Sequence, residues 1–255
     1  MVVMRTPSHI SRQRSSVVGR MEFRILGPLE VINDRGAPSG AIKTVHVHVS
    51  RLRRALGDPD IVTTTGAGYC LRVRPDELDA ERFERLVEDG RRTLADGQPD
   101  YAATLLREAL ALWRGPPLAD LAFERGAAPE IARLEEQHMT ALETRIEADL
   151  AANHHVQVVG ELQQFVVEHP RRERLTCQLM LALYRCGRQT DALEIYRDAR
   201  RVLVDEIGVE PGPELRRLHE AILRQDGALE QHAPAGRPAA RTRREHGAPA
   251  RRPPR

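Results

Sequence analysis

The residues best suited to chemistry in this chain are cations gathered on one side of a short amphipathic segment. In AIKTVHVHVSRLRRAL, residues 41–56, Val45, Val49, Leu52 and Leu56 recur at i, i+4, i+7 and i+11, which predicts one buried face of a helix over 43–56. Lys43, Val47, Ser50, Arg51 and Arg54 then fall on the opposite face, with Thr44, His48 and Arg53 along its margins. Arginine and lysine pair with guanine edges or phosphates, serine and threonine bond to phosphate, and an exposed valine meets a thymine methyl. The chemistry on offer is therefore recognition of a DNA groove. A basic helical face by itself is more often simply solvated, so the neighbouring elements have to decide.

Gly57 closes the helix and Pro59 comes two residues later, as expected at a C-terminal stop. Ile61 to Thr65 and Tyr69 to Val73, rich in β-branched and aromatic residues, flank Gly66-Ala67-Gly68 and predict a hairpin. A hairpin beside a basic helix can reach the adjacent minor groove or backbone, and this favours nucleic acid. Upstream, Phe23, Ile25, Leu29, Val31 and Ile32 form a strand-rich opening that ends at the turn cluster 33–36.

Motifs for other chemistry are missing. The chain has no phosphate-binding loop, no G-x-S-x-G and no HExxH, and Gly66-Ala67-Gly68 has Leu71 in the place where a dinucleotide fingerprint needs glycine. His46 and His48 point about 200° apart on a helix, and neither they nor His154-His155 have a Cys, Asp or Glu at ligand spacing. No enzyme activity, cofactor or metal is expected.

Charge divides the 255 residues sharply. The net charge of +2 conceals +4 over residues 1–20, +2 over 21–73, −9 over 74–226 and +5 over 227–255, so a nucleic-acid surface is expected outside the acidic middle. Cys70, Cys177 and Cys186 form no CxxC pair and suit a reducing cytoplasm as small buried hydrophobes. No run of eighteen apolar residues occurs, so no membrane span is expected. Residues 1–20 read as a disordered basic extension or an upstream start artefact, and 227–255, rich in Ala, Pro, Gly and Arg, as a disordered basic tail.

From Asp79, a candidate N-cap, onward the pattern is helical and repeats itself. Gly97, Ala102, Leu106 and Ala109 share their spacing with Asn153, Val158, Leu162 and Phe165, and with Gly187, Ala192, Tyr196 and Ala199. The last two copies start 34 residues apart, the period of tetratricopeptide pairs of antiparallel helices. LWRGPPLADL fills the longer first interval, and helices around 128–150 and 175–185 complete the later pairs. After Glu210-Pro211-Gly212-Pro213-Glu214, a last amphipathic helix carries Leu215, Leu218, Ile222 and Leu223.

VHVHVSRLRRAL with IVTTTGAGY resembles the recognition helix and wing of OmpR-type winged-helix domains. With MEFRILGPLEV ahead of it, the segment resembles the antibiotic-biosynthesis regulatory (SARP) class of bacterial transcriptional activators. The resemblance implies Thr44, Val47, His48, Arg51 and Arg53 as groove or phosphate contacts, Thr65 and Tyr69 as wing contacts, and Lys43 at the groove entry. LWRGPPLADL, EHPRRERL, LMLALYRCGRQTDALEIYRDAR and LVDEIGVEPGPELRRLHEAIL resemble the bacterial transcriptional activator domain of the same class. That implies promoter DNA as a partner, self-association as a homodimer, contact with RNA polymerase, and control of secondary-metabolite genes from the cytoplasm.

One departure shapes the expectation. A winged helix packs its recognition helix on two preceding helices, which need roughly 30 residues, and only Ala37 to Gly40 separate the opening strands from residue 41. The apolar face of the helix must be covered by the opening sheet, the hairpin, the helical domain after it or a partner chain. The expected fold is mainly α: a shortened winged-helix region at 21–74, then a tetratricopeptide-like repeat domain at 79–226. The alternative function is an interaction module that has lost DNA binding with the missing helices.

Overall fold

The computed structural model describes residues 22–24, 30–32, 45–65, 68–74, 77–121 and 126–230. The readings for residues 1–20 and 231–255 lie outside them. The chain is mainly α, as expected. A short antiparallel pair, β1 (Glu22–Arg24) and β2 (Glu30–Ile32), aligns Phe23 with Val31. Then come α1 (Val45–Leu56) and a second antiparallel pair, β3 (Val62–Thr65) and β4 (Gly68–Leu71). Thr65 stands opposite Gly68, so the connection is two residues and not the three read from Gly66-Ala67-Gly68; two-residue loops match the strand twist best.

Seven more helices complete the chain: α2 (Asp79–Ala95), α3 (Pro99–Leu110), α4 (Ala128–Ala151), α5 (His155–Glu168), α6 (Glu173–Arg185), α7 (Gln189–Val202) and α8 (Pro213–Leu223). A π-helical turn at Leu203–Ile207 extends α7, and a 3-10 turn at Gly227–Leu229 comes after α8. The described fold thus runs four residues beyond the boundary read at 226, because Leu229 packs on the core and its carbonyl accepts from Arg185 Nε at 3.0 Å.

The repeated spacing marks packed positions. Ala102, Leu106, Ala109, Val158, Leu162, Ala192 and Ala199 are buried, while Phe165 and Tyr196 are half-buried. At the head of each copy the backbone enters the left-handed region, with φ of 75° at Gly97, 66° at Asn153 and 75° at Gly187. Each such turn bonds the last carbonyls of one helix before the next begins: Gly97 N–H reaches Leu94 O and Gln98 N–H reaches Thr93 O, the Schellman pattern. Asp79, read as an N-cap, is instead the first helical residue of α2, with Leu78 at the N-cap position; its buried carboxylate lies 3.9 Å from Arg114 Nη2.

The 24-residue α4, about 36 Å long, joins two cores. Leu134, Ala141 and Ala148 face the first, with α1, the β3–β4 hairpin, α2 and α3, while Leu142, Ile146 and Leu150 face the second, with α5 to α8. A helix that meets core on two sides loses a clean polar stripe. Between α3, α4 and α5, Asp149, fully buried, gathers Arg107, Arg145 at 3.1 Å and His154 at 3.5 Å. The cysteines are free; Cys177 is buried, and burial with Glu214 and Glu173 nearby pushes its thiol up to about 12.

Candidate nucleic-acid interface

The basic helix forms where the valine and leucine spacing puts it. Leu56 is buried, and Val49 and Leu52 pack against the same core as Ile61, Val62, Leu71 and Val73 from the hairpin and Phe83 and Val87 from α2. The described part of the apolar face left without its usual supporting helices, Val49, Leu52 and Leu56, therefore shares one core with the hairpin and the first pair of the helical domain. Each of its large side chains left in water would forgo ~1.5–3 kcal/mol, which is why the shortened region folds onto α2 and α3.

The link from helix to hairpin is local chemistry. Gly57, at φ 69°, donates to Arg54 O. The Asp58 carboxylate then accepts the Asp60 N–H at 2.9 Å, an Asx turn that aims the chain into β3. At the far end, Arg72 N–H donates to Ile61 O at 2.6 Å, lengthening the ladder. Glu77, buried, accepts Arg74 N–H at 2.8 Å and so fixes the entry into α2.

The cations divide by environment. Arg51 and Arg54 are exposed, and neither forms an ion pair with another described residue. Arg53 is half-buried and turned inward: its Nε and Nη2 both donate to Val62 O, at 2.8 and 2.6 Å, and Nη2 also donates to Thr64 Oγ1 at 3.2 Å. Sequence reasoning set Arg53 beside Arg51 as a contact and had no signal for this fork, since it depends on a partner nine residues away across a turn. Lys43 and Thr44 lie outside the described residues. Val47 and His48 belong to α1, Thr65 to β3 and Tyr69 to β4, and their side chains lie outside the described set.

The helical part of the molecule is dense in paired charge. Arg133 bonds Glu130 and Glu84, whose hydrogen bonds hold its guanidinium well above the ordinary arginine value. Arg172 bridges Glu136 and Glu143. Two shallow clefts open among the later helices, one of about 440 Å³ beside His155, Arg185 and Glu230 and one of about 540 Å³ beside Arg174, Gln178 and Glu214. Among the described residues no cluster of three or more His, Cys, Asp or Glu could hold a metal, and no helix is long and apolar enough to cross a membrane.

Residues 78–223 match the family model described as the bacterial transcriptional activator domain. Over 207 residues the chain is 39% identical to the regulatory protein DnrI of Streptomyces peucetius, covering 77% of this chain and 76% of that protein. It is 41% identical to the regulatory protein AfsR of Streptomyces griseus over 79% of this chain, which spans only 20% of that much longer relative. Among solved structures, Mycobacterium tuberculosis EmbR, in complex with a low-affinity phosphopeptide, superposes with a TM-score of 0.75 at 32% identity, covering 81% of this chain and 66% of that one.

Proposed function

From the fact that this chain belongs to the bacterial transcriptional activator domain family, among the SARP-class transcriptional regulators, we propose that it binds promoter DNA through α1 and the β3–β4 hairpin. The carrying observation is the exposed pair Arg51 and Arg54 on a helix whose other face is buried beside a hairpin. In this reading α1 lies in a major groove, with Lys43, Thr44, Val47, His48, Arg51 and Arg54 toward bases or phosphates. Thr65 and Tyr69 meet the adjacent backbone. Phosphate contacts supply affinity and register, and base-edge contacts supply sequence choice.

The helical domain would act as the activating part. It self-associates as a homodimer, presents α1 twice to a repeated site, and contacts RNA polymerase in the cytoplasm. The regulated genes would be those of a secondary-metabolite pathway. The two regulators named from Streptomyces support this reading, as does the acidic helical half, which would be repelled by DNA and leaves contact to the basic segment.

The test is selection of bound fragments from genomic DNA, with footprinting at two salt concentrations. The expected result is a discrete protected site, occupied by a dimer, whose binding constant falls linearly with salt on a log scale. Arg51→Ala should weaken that binding and lower the salt slope by about 1. A chain that protects no fragment at low salt, yet still captures a protein partner, would overturn DNA binding in favour of a pure interaction module.

A further inference from the structure

Arg72 N–H donates to Ile61 O, so the Ile61 carbonyl faces β4. Carbonyls alternate along a strand with a period of two, so the Val62 carbonyl points to the outer edge of the two-stranded hairpin, where the ladder gives it no partner. Val62 is nonetheless buried, and a buried carbonyl needs a donor. Arg53 is that donor: Nε and Nη2 converge on Val62 O, and Nη2 also holds Thr64 Oγ1. Ile61 and Thr63 occupy the alternate positions, and Thr63 Oγ1 bonds across the hairpin to Cys70 O at 3.3 Å. The guanidinium thus grips one edge of the hairpin from the last turn of α1.

We propose that Arg53 is a positioning residue, not a DNA contact: its planar fork sets the angle between α1 and the β3–β4 hairpin, and hence the spacing at which the two meet a groove and the neighbouring backbone. This rests on the nucleic-acid reading above for its consequence, though not for its geometry. A fork of fixed planar donors defines an orientation that a single flexible ammonium does not. The helix and hairpin touch DNA at separate places, so an error in their angle misplaces one set of contacts when the other is docked. Sequence-specific binding suffers from that error more than non-specific attraction, which depends on charge alone.

The experiment uses the full chain with four variants: Arg53→Lys, Thr64→Val, the pair together, and Arg53→Gln. Hydrogen exchange of residues 61–73 in the absence of DNA reads the strut directly, and binding to a selected site and to random duplex across a salt series reads its consequence. Arg53→Lys should accelerate exchange in the hairpin and lower affinity for the selected site about tenfold. It should leave affinity for random duplex within twofold and the salt slope unchanged. Thr64→Val, which removes no charge, should show the same pattern more weakly, and the double variant should be no worse than Arg53→Lys alone. Unchanged exchange in both Arg53→Lys and Thr64→Val overturns the proposal. So does full specific affinity in Arg53→Lys, or a salt slope that drops by about 0.9 in Arg53→Gln, the mark of a lost phosphate contact. If Arg53→Lys fails to fold, Thr64→Val still decides. If the wild-type chain selects no site while exchange responds as expected, the strut stands and the DNA reading falls.

Discussion

Asn153 turns through the same left-handed backbone conformation as Gly187 one repeat later, at φ 66° against 75°. Both residues donate to a carbonyl three positions back, Leu150 O and Tyr184 O, and the next amide in each case reaches five back. Gln225, at φ 51°, closes α8 in the same way, with its N–H on Ile222 O and that of Asp226 on Ala221 O. The turn is therefore one device used four times, beginning at Gly97, with three different residue types in it. Left-handed backbone costs an ordinary L-residue roughly 1–2 kcal/mol. Gln225→Gly should raise the urea midpoint by an equivalent of about 1 kcal/mol, with only an exposed 3.3 Å bond to Gln189 lost. Gly187→Ala should lower stability by a similar amount, although no atom lies within 4 Å of the added Cβ. Equal midpoints for Gly187→Ala and the wild type would show that the strain is absent.

Gly90, in the middle of α2, is kept for close approach and not for its backbone freedom. A Cβ there would sit 2.7 Å from Leu106 Cγ, and Leu106 is fully buried in α3. Alanine improves helix propensity by about 1 kcal/mol, but forcing a methyl into a filled core costs ~1–3 kcal/mol. Gly90→Ala should therefore destabilise, and its cost should shrink in a Leu106→Ala background, where the space is open. A double-mutant cycle by chemical denaturation measures this coupling; additive effects would contradict the contact.

These two cases show what residue type and spacing made readable. Gly97, Ala102, Leu106 and Ala109 carry their roles in residue type, so the repeat could be found by spacing, and Asn153 could be aligned with glycine because asparagine also tolerates left-handed backbone. Gln225 carries no such mark; the α8 turn was invisible because the residue is strained and unsuited by type. Leu223 satisfied the apolar spacing of α8 yet is 55% exposed, while its neighbour Ile222 is fully buried. On the candidate interface, the face containing Arg51 and Arg54 came from period alone. The inward fork of Arg53 did not, because a helix pattern is blind to which strand edge a later hairpin will offer. Nor did the core that Leu52 and Leu56 share with Phe83, which joins segments whose separation says nothing of proximity.

Three histidines are held below their ordinary value near 6.5. Burial lowers His138 most, with His169 adding to it; burial and Arg185 lower His155; burial and Arg197 lower His219 against an opposing Glu220. The unfolded chain therefore binds these protons more tightly than the folded one. Their contribution to stability is complete above about pH 6.5 and is lost as the pH falls from there through the lower folded values. The melting temperature should drop between about pH 7.5 and about pH 5.5. His138→Gln should flatten that drop, since the His138 ring lies 4.3 Å from that of Trp113, tilted by 43°, and cannot take up its proton freely. A slope identical to wild type in His138→Gln would assign the dependence to other groups.

Phe83 should couple the activator domain to the basic segment. It is 1% exposed, makes an edge contact with Trp113 at 5.5 Å and 78°, and shares one core with Leu56, Ile61 and Val62. Phe83→Ala removes a ring from that core at a cost of ~3–5 kcal/mol. Because α6 and α7 pack in the second core, the loss should open α1 and the hairpin at free energies well below global unfolding. Hydrogen exchange should then accelerate at Thr63 and Cys70, which face each other in the hairpin ladder, more than at Leu179 and Leu183, and specific DNA binding should fall with the hairpin's protection. Were the hairpin to keep its protection while α2 lost its own, α1 and the hairpin would be standing on a core of their own, and the helical domain would not be their support.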